Sequence, residues 1–329
     1  MNIESISDLG GVKKKYWIDF LRNAGLEPDD NCEQTVLLWD DGKLIGTGSR
    51  QENLLKCIAV DPSRQGEGLM ASIITSLRQD AFAQGHRHLF LYTKPTNEYL
   101  FRSLFFYPVA KTADVLLMED RKDGIRNFLD SLPTPATGSQ IGAAVMNCDP
   151  FTLGHQYLIE SAAAECDHLY VFVLSEDKGL LNATERMEMV KAGSAHLPNV
   201  TVLPTGPYLI SSATFPTYFL KDRDQAEAIH CLLDIEIFCK HFAPKFGITR
   251  RYVGTEPLSK LTNLYNDALK THLTTRNIEL RQIPRLEQDG APISASAVRK
   301  HLQDADWDAL ASIVPPTTLA CLKDKYLRR

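Results

Sequence analysis

The seven cysteines, at 32, 57, 148, 166, 231, 239 and 321, include no Cys-x-x-Cys pair and are too few to staple a chain of 329 residues. That excludes a disulfide scaffold and points to a reducing compartment. Long apolar runs are missing as well. None approaches the roughly 18 residues needed to span a bilayer, and Met1 to Gly11 lacks a basic segment followed by an apolar one. The chain therefore reads as cytoplasmic, with no membrane association. Charge of one sign is scarce: 36 bases against 41 acids leave a net charge of −5, and acids lead only slightly in each half. Neither a basic nucleic-acid platform nor a polybasic anchor fits such a balance. Three motifs are also absent: the Gly-x4-Gly-Lys-Ser/Thr phosphate loop, the Gly-x-Gly-x-x-Gly dinucleotide loop and the His-Glu-x-x-His metal helix. His230, Cys231, Cys239 and His241 lie close in sequence but lack the near Cys pair of structural zinc sites, so no metal site is expected.

What is present suits two ordinary domains, since 44% of the residues are hydrophobic and 23% charged. Residues 131–139, with two prolines, a glycine and small polar residues, read as a linker between a domain at 1–130 and one at 140–329. Before the linker, the pattern predicts a helix over 12–24 and a hairpin of 35–39 and 43–47 around Asp40-Asp41-Gly42. A strand at 54–60, a helix at 69–83, a strand at 88–93 and a short helix at 97–104 follow. After the linker, strands at 141–146, 169–174, 200–203, 251–254 and 278–283 alternate with helical stretches. Such alternation predicts a parallel sheet covered on both faces, with ligand beyond the carboxyl ends of its strands.

The strand at 141–146 runs into Asn147-Cys148-Asp149-Pro150-Phe151-Thr152-Leu153-Gly154-His155 and then a helix. Helix-start amides favour anions, Gly154 lets a phosphate approach the backbone, and His155 can donate to a phosphate oxygen. The plain alternative is a turn at Asp149-Pro150, a Thr152 cap and a solvated His155. Position decides between them: Thr152-x-Gly154-His155 after the first strand of an alternating domain resembles the (His/Thr)-x-Gly-His signature of the nucleotidyltransferase superfamily. Ile293-Ser294-Ala295-Ser296-Ala297-Val298-Arg299, after the last predicted strand, resembles that superfamily's Ile-Ser-x-Ser/Thr-x-x-Arg segment. Its hydroxyls and arginine suit a triphosphate. Arg186 resembles the Arg of an Arg-x-x-Met pattern, with a solvated helix arginine equally open. Glu256, at a strand end, is a candidate for ribose or adenine, or a turn cap.

In the first domain, Asp61-Pro62-Ser63-Arg64-Gln65-Gly66-Glu67-Gly68-Leu69-Met70 resembles the pyrophosphate loop of the GCN5-related acetyltransferases, with Met70 where Gly or Ala is usual. Phe101 stands where many of those enzymes have a proton-donating tyrosine, and a phenyl ring donates no proton. The reading is an acetyltransferase-like α+β domain that binds a CoA-like group through Gln65, Gly66 and Gly68 without acetylating an amine. A Rossmann-like nucleotidyltransferase domain follows it, so the chain as a whole is α/β.

That pairing, together with residues 146–160, 213–221 and 252–258, resembles the citrate lyase ligase family over nearly the whole chain. The resemblance implies an enzyme that uses ATP to acetylate the thiol of the CoA-derived prosthetic group on the citrate lyase acyl carrier subunit. Acetyl-adenylate would be the intermediate, AMP and pyrophosphate the by-products, and magnesium is expected to bridge the phosphates. His155 and Thr152 are the catalytic candidates. Asn147, Phe151, Gly154, Arg186, Glu256, Ser294, Ser296 and Arg299 are the nucleotide-binding ones. Two other readings remain open at this point: an adenylyl- or cytidylyltransferase of cofactor synthesis, and a CoA-sensing regulatory module.

Overall fold

The computed structural model describes the chain except residues 134–135, 178, 211–214, 221–224, 256–268, 289 and 328–329. It forms two compact units, Met1–Ile125 with Phe215–Glu236, and Arg126–Thr214 with Ile237–Arg329. Residues 215–236, far along the second half of the sequence, therefore pack with the first unit.

The first unit holds β1 (Asn2–Ile6), α1 (Gly11–Asn23), β2 (Gln34–Asp40), β3 (Lys43–Gln51), β4 (Leu54–Val60), α2 (Leu69–Ala83), β5 (Phe90–Thr93), α3 (Glu98–Ser103), β6 (Tyr107–Lys111) and β7 (Leu116–Glu119). The seven strands make one sheet in the order β1-β2-β3-β4-β5-β7-β6. All neighbours are antiparallel except β4 and β5, which pair only through Leu54↔Phe90 and Leu55↔Leu91 and carry no further pairing toward their carboxyl ends. The expected hairpin, strand and helix order is present, while β1, β6 and β7 had no counterpart among the expected strands.

Leu69, Ile73, Ile74, Leu77 and Ala81 recur at helical spacing, so α2 buries one face. Val36, Leu38, Ile45 and Leu55 of the sheet receive it. At the crossing, a Cβ on Gly48 would stand 2.5 Å from Ile73 Cγ2 and 3.1 Å from Leu77 Cδ1. The glycine is needed for close approach, so Gly48→Val should cost about 1–3 kcal/mol through overpacking, read as a lower midpoint in urea.

In the second unit, α4 (Gly124–Asp130) leads to β8 (Ile141–Met146), α5 (Leu153–Ala164), β9 (His168–Val173), α6 (Ala183–Ser194), β10 (Val200–Pro204), β11 (Arg250–Gly254) and β12 (Glu279–Ile283). The sheet runs β10-β9-β8-β11-β12. Every pairing is parallel, which explains the nearly continuous apolar strands Ile141–Met146 and Leu169–Val173, covered on both faces. A helix Ala295–Gln303 follows the sheet. The strand order reverses at β8, where one neighbour is β9 and the other β11, and crevices for ligands form at such a switch point. Among the described residues no helix is long and apolar enough to cross a membrane.

Candidate nucleotide site

The loop from β8 ends in a reciprocal cap. Thr152 is the N-cap of α5. Its Oγ1 accepts from the His155 backbone N–H at 3.3 Å, while its own backbone N–H donates to His155 Nδ1 at 3.1 Å. The Thr152 hydroxyl lies 2.9 Å from the same nitrogen and donates to it. Because Nδ1 accepts, the ring carries its proton on Nε2. Burial, and secondarily the positive charge of Arg285, push the His155 pKa down to about 4. The ring is therefore a neutral donor near pH 7, and it is half-buried rather than solvated.

His155 lines a cavity of about 580 Å³ together with Asn147, Thr152, Gly154, Ser294 and Ser296. Six of the sequence candidates thus converge, as two helix starts meet at one opening. Ser294 caps the Ala295–Gln303 helix, its Oγ accepting from Ala297 N at 3.2 Å. A Cβ on Gly154 would lie 3.1 Å from the Ile293 carbonyl oxygen. Gly154 is thus required for the approach of the two helix starts, beyond any room it leaves for phosphate.

Three candidates lie outside the cavity lining. Phe151 is fully buried in the core, its ring stacked 5.9 Å from that of His155 and packed where Gly193 has no side chain. Arg186 is 1% exposed, which removes the solvated-helix alternative. It donates to the Asn147 backbone oxygen at 3.0 Å, to Asn147 Oδ1 and to the Glu176 backbone oxygen. It therefore positions the β8 loop. Arg299 donates to the Asp149 backbone oxygen at 2.6 Å and to Ser296 Oγ at 2.9 Å, tying the second helix start to the same loop. Asp149 is buried and its carboxylate accepts from Leu180 and Leu181 N–H, both at 2.9 Å. Glu256 lies outside the described residues.

Arg251 and Arg285 also line the cavity, and sequence reasoning missed both. The signals were available: Arg285 lies two residues past the carboxyl end of β12, and Arg251 puts a charge inside a strand of the parallel sheet. No aspartate or glutamate occurs among the described lining residues. A cavity with two arginines, two helix starts, a neutral donor histidine and no carboxylate in its described lining suits anions.

The first unit has its own cavity, of about 830 Å³, lined by Gln65, Gly66, Gly68 and Phe101. Gly66 and Gly68 have φ of +88° and +76°, a region side chains disfavour, and no atom lies within 4 Å of where either Cβ would stand. Tyr218 and Phe219 form part of the same wall. The Tyr218 hydroxyl donates to the Tyr92 backbone oxygen at 2.6 Å.

Residues 141–322 match the family described as citrate lyase ligase C-terminal domain. Residues 8–103 match the acetyltransferase (GNAT) family. The [citrate [pro-3S]-lyase] ligase of Klebsiella pneumoniae is 40% identical over 309 residues, covering 92% of this chain and 90% of that protein. That of Escherichia coli is 38% identical over 312 residues, covering 93% and 89%. The chain belongs to the citrate lyase ligase family. The fold is accordingly a GNAT-type mixed-sheet unit and a parallel-sheet unit that matches the family's C-terminal domain, and that domain match contains the described lining of the cavity built around His155. A shorter likeness, 42% identity over 78 residues, covers 22% of this chain and 44% of a phosphopantetheine adenylyltransferase of Rhodopirellula baltica.

Proposed function

We propose that this member of the citrate lyase ligase family activates citrate lyase by joining acetate to the thiol of its acyl carrier prosthetic group, with ATP converted to AMP and pyrophosphate. In the first step an acetate oxygen bonds to the α-phosphorus and the bond to pyrophosphate breaks. In the second, the carrier thiolate attacks the acetyl carbon and AMP leaves. The observation that carries the reading is the hydrogen bond from the Thr152 N–H to His155 Nδ1, which leaves Nε2–H as the donor available to a phosphate in a cavity whose described lining holds no carboxylate. Charge shifts toward the leaving pyrophosphate, and fixed donors there need no reorganisation. Three metal-ligating side chains do not gather anywhere among the described residues. In this reading magnesium enters with the phosphates of the substrate.

The deciding measurement is exchange of labelled pyrophosphate into ATP. It should require acetate. Exchange that ignores acetate and responds to phosphopantetheine would favour the phosphate-acceptor reading, which the 78-residue likeness supports.

The first unit, in this reading, binds the CoA-derived arm at Gly66 and Gly68. Phe101, 5% exposed in that cavity wall, brings no proton donor, so binding without amine acetylation fits its chemistry. Gly68→Val fills the cradle and strains a left-handed φ. It should spare acetate-dependent exchange while slowing carrier acetylation by about 10-fold or more, the loss of one to two kcal/mol of arm binding. Equal rates of both steps in variant and wild type would remove the first unit from arm binding.

A further inference from the structure

Arg251 is a buried cation for which the described residues supply no anionic partner. It is 3% exposed, and its Nε and Nη1 have no hydrogen-bond partner. Its guanidinium carbon sits 4.3 Å from the centroid of the Phe238 ring. Among the described residues it forms no ion pair. An arginine cannot shed its proton to escape this cost. Leaving a buried charge uncompensated is costly, and stacking on one ring offsets only part of that cost. An anion is the missing partner.

The anion must fit where Arg251 stands. The arginine lines the His155 cavity, but its Cα is paired with Ala143, well before the carboxyl end of β8 at Met146. The two helix starts, His155 and Ser294 all follow the ends of strands, which is where a triphosphate finds its donors. Arg251 lies back along the sheet against an aromatic ring, in surroundings that suit a small carboxylate with an apolar tail. Its planar fork matches the two oxygens of such a group.

We propose that Arg251 is the receptor for the carboxylate of acetate. The proposal rests on the adenylation reading above. Pairing with the guanidinium lowers the charge on the carboxylate as it approaches the anionic phosphate, and leaves it oriented for attack on the α-phosphorus. No electron pair or proton passes through the arginine.

The test is pyrophosphate exchange in wild type, Arg251→Met and Arg251→Lys, varying acetate and ATP separately, with ATP binding by calorimetry as the control for folding. Loss of a charge-assisted contact should raise the acetate KM of Arg251→Met about 10- to 100-fold, with ATP affinity unchanged. Arg251→Lys keeps the charge and loses the fork. It should show a smaller rise in acetate KM, and it decides the matter if the methionine variant does not fold. A raised KM for ATP with acetate unchanged would make Arg251 a phosphate ligand and overturn the proposal. So would two unchanged constants. Exchange by wild type that needs no carboxylate would instead overturn the adenylation reading, a failure distinct from any effect at Arg251.

Discussion

His155→Ala is expected to lower acetate-dependent pyrophosphate exchange by roughly 10² to 10³, the cost of removing one fixed donor from a developing charge. Stability should fall by only about 1 kcal/mol, because the ring's other role is half of a helix cap. The pH profile gives a second check. Burial holds the His155 pKa at about 4, against 6.5 for a free side chain. Between those values the unfolded chain takes up a proton that the folded one refuses, so this group's contribution to stability declines as the pH falls through 6.5 toward 4. The donor form survives over the same range, so exchange should not lose a histidine-dependent limb near pH 6.5. A wild-type profile that breaks near 6.5 and flattens in the alanine variant would show a solvated imidazole and contradict the capped geometry.

Arg186→Ala should unfold the protein more readily than any other single change considered at this site. The side chain is 1% exposed and satisfies the backbone oxygens of Asn147 and Glu176 along with the Asn147 amide oxygen. Removing it strands those acceptors and leaves a cavity, at a cost of about 3 kcal/mol, measurable as the shift in a urea transition. Arg186→Lys keeps the charge but serves the three acceptors poorly, so it should recover less than half of that loss. Activity should decline in parallel with the folded fraction, since Asn147 belongs to the cavity and loses its anchor. A phosphate ligand would behave differently: the urea midpoint would hold and the ATP KM would rise.

The two variants also mark where sequence reading succeeds. Thr152-x-Gly154-His155 was legible because capping is local: an N-cap hydroxyl and the residue three positions on must meet whenever a helix starts there. The alternating strands at 141–146, 169–174 and 200–203 were legible for a similar reason, since side-chain period and apolar content are properties of short stretches. The GNAT-like loop could be read from Gly66 and Gly68 because positive φ is a backbone demand that few other residues meet.

Distance in sequence hid the rest. Phe151 and Arg186 sit in or beside recognised motifs, yet whether each faces ligand or core depends on Gly193 and on the Asn147 and Glu176 carbonyls, which only folding brings to them. The sequence by itself determined that two units exist, that one carries a parallel sheet, and that a helix start with a threonine cap and a histidine closes its first strand. Only the tertiary structure decided that residues 215–236 return to the first unit and wall its cavity with Tyr218 and Phe219. It alone placed Arg251 and Arg285 beside His155 in a cavity whose described lining has no carboxylate. Caps, turns and periodicity are set by neighbours within a few residues. The sign of a cavity is set by charges that the chain brings together across a hundred or more, and no local pattern encodes that sum.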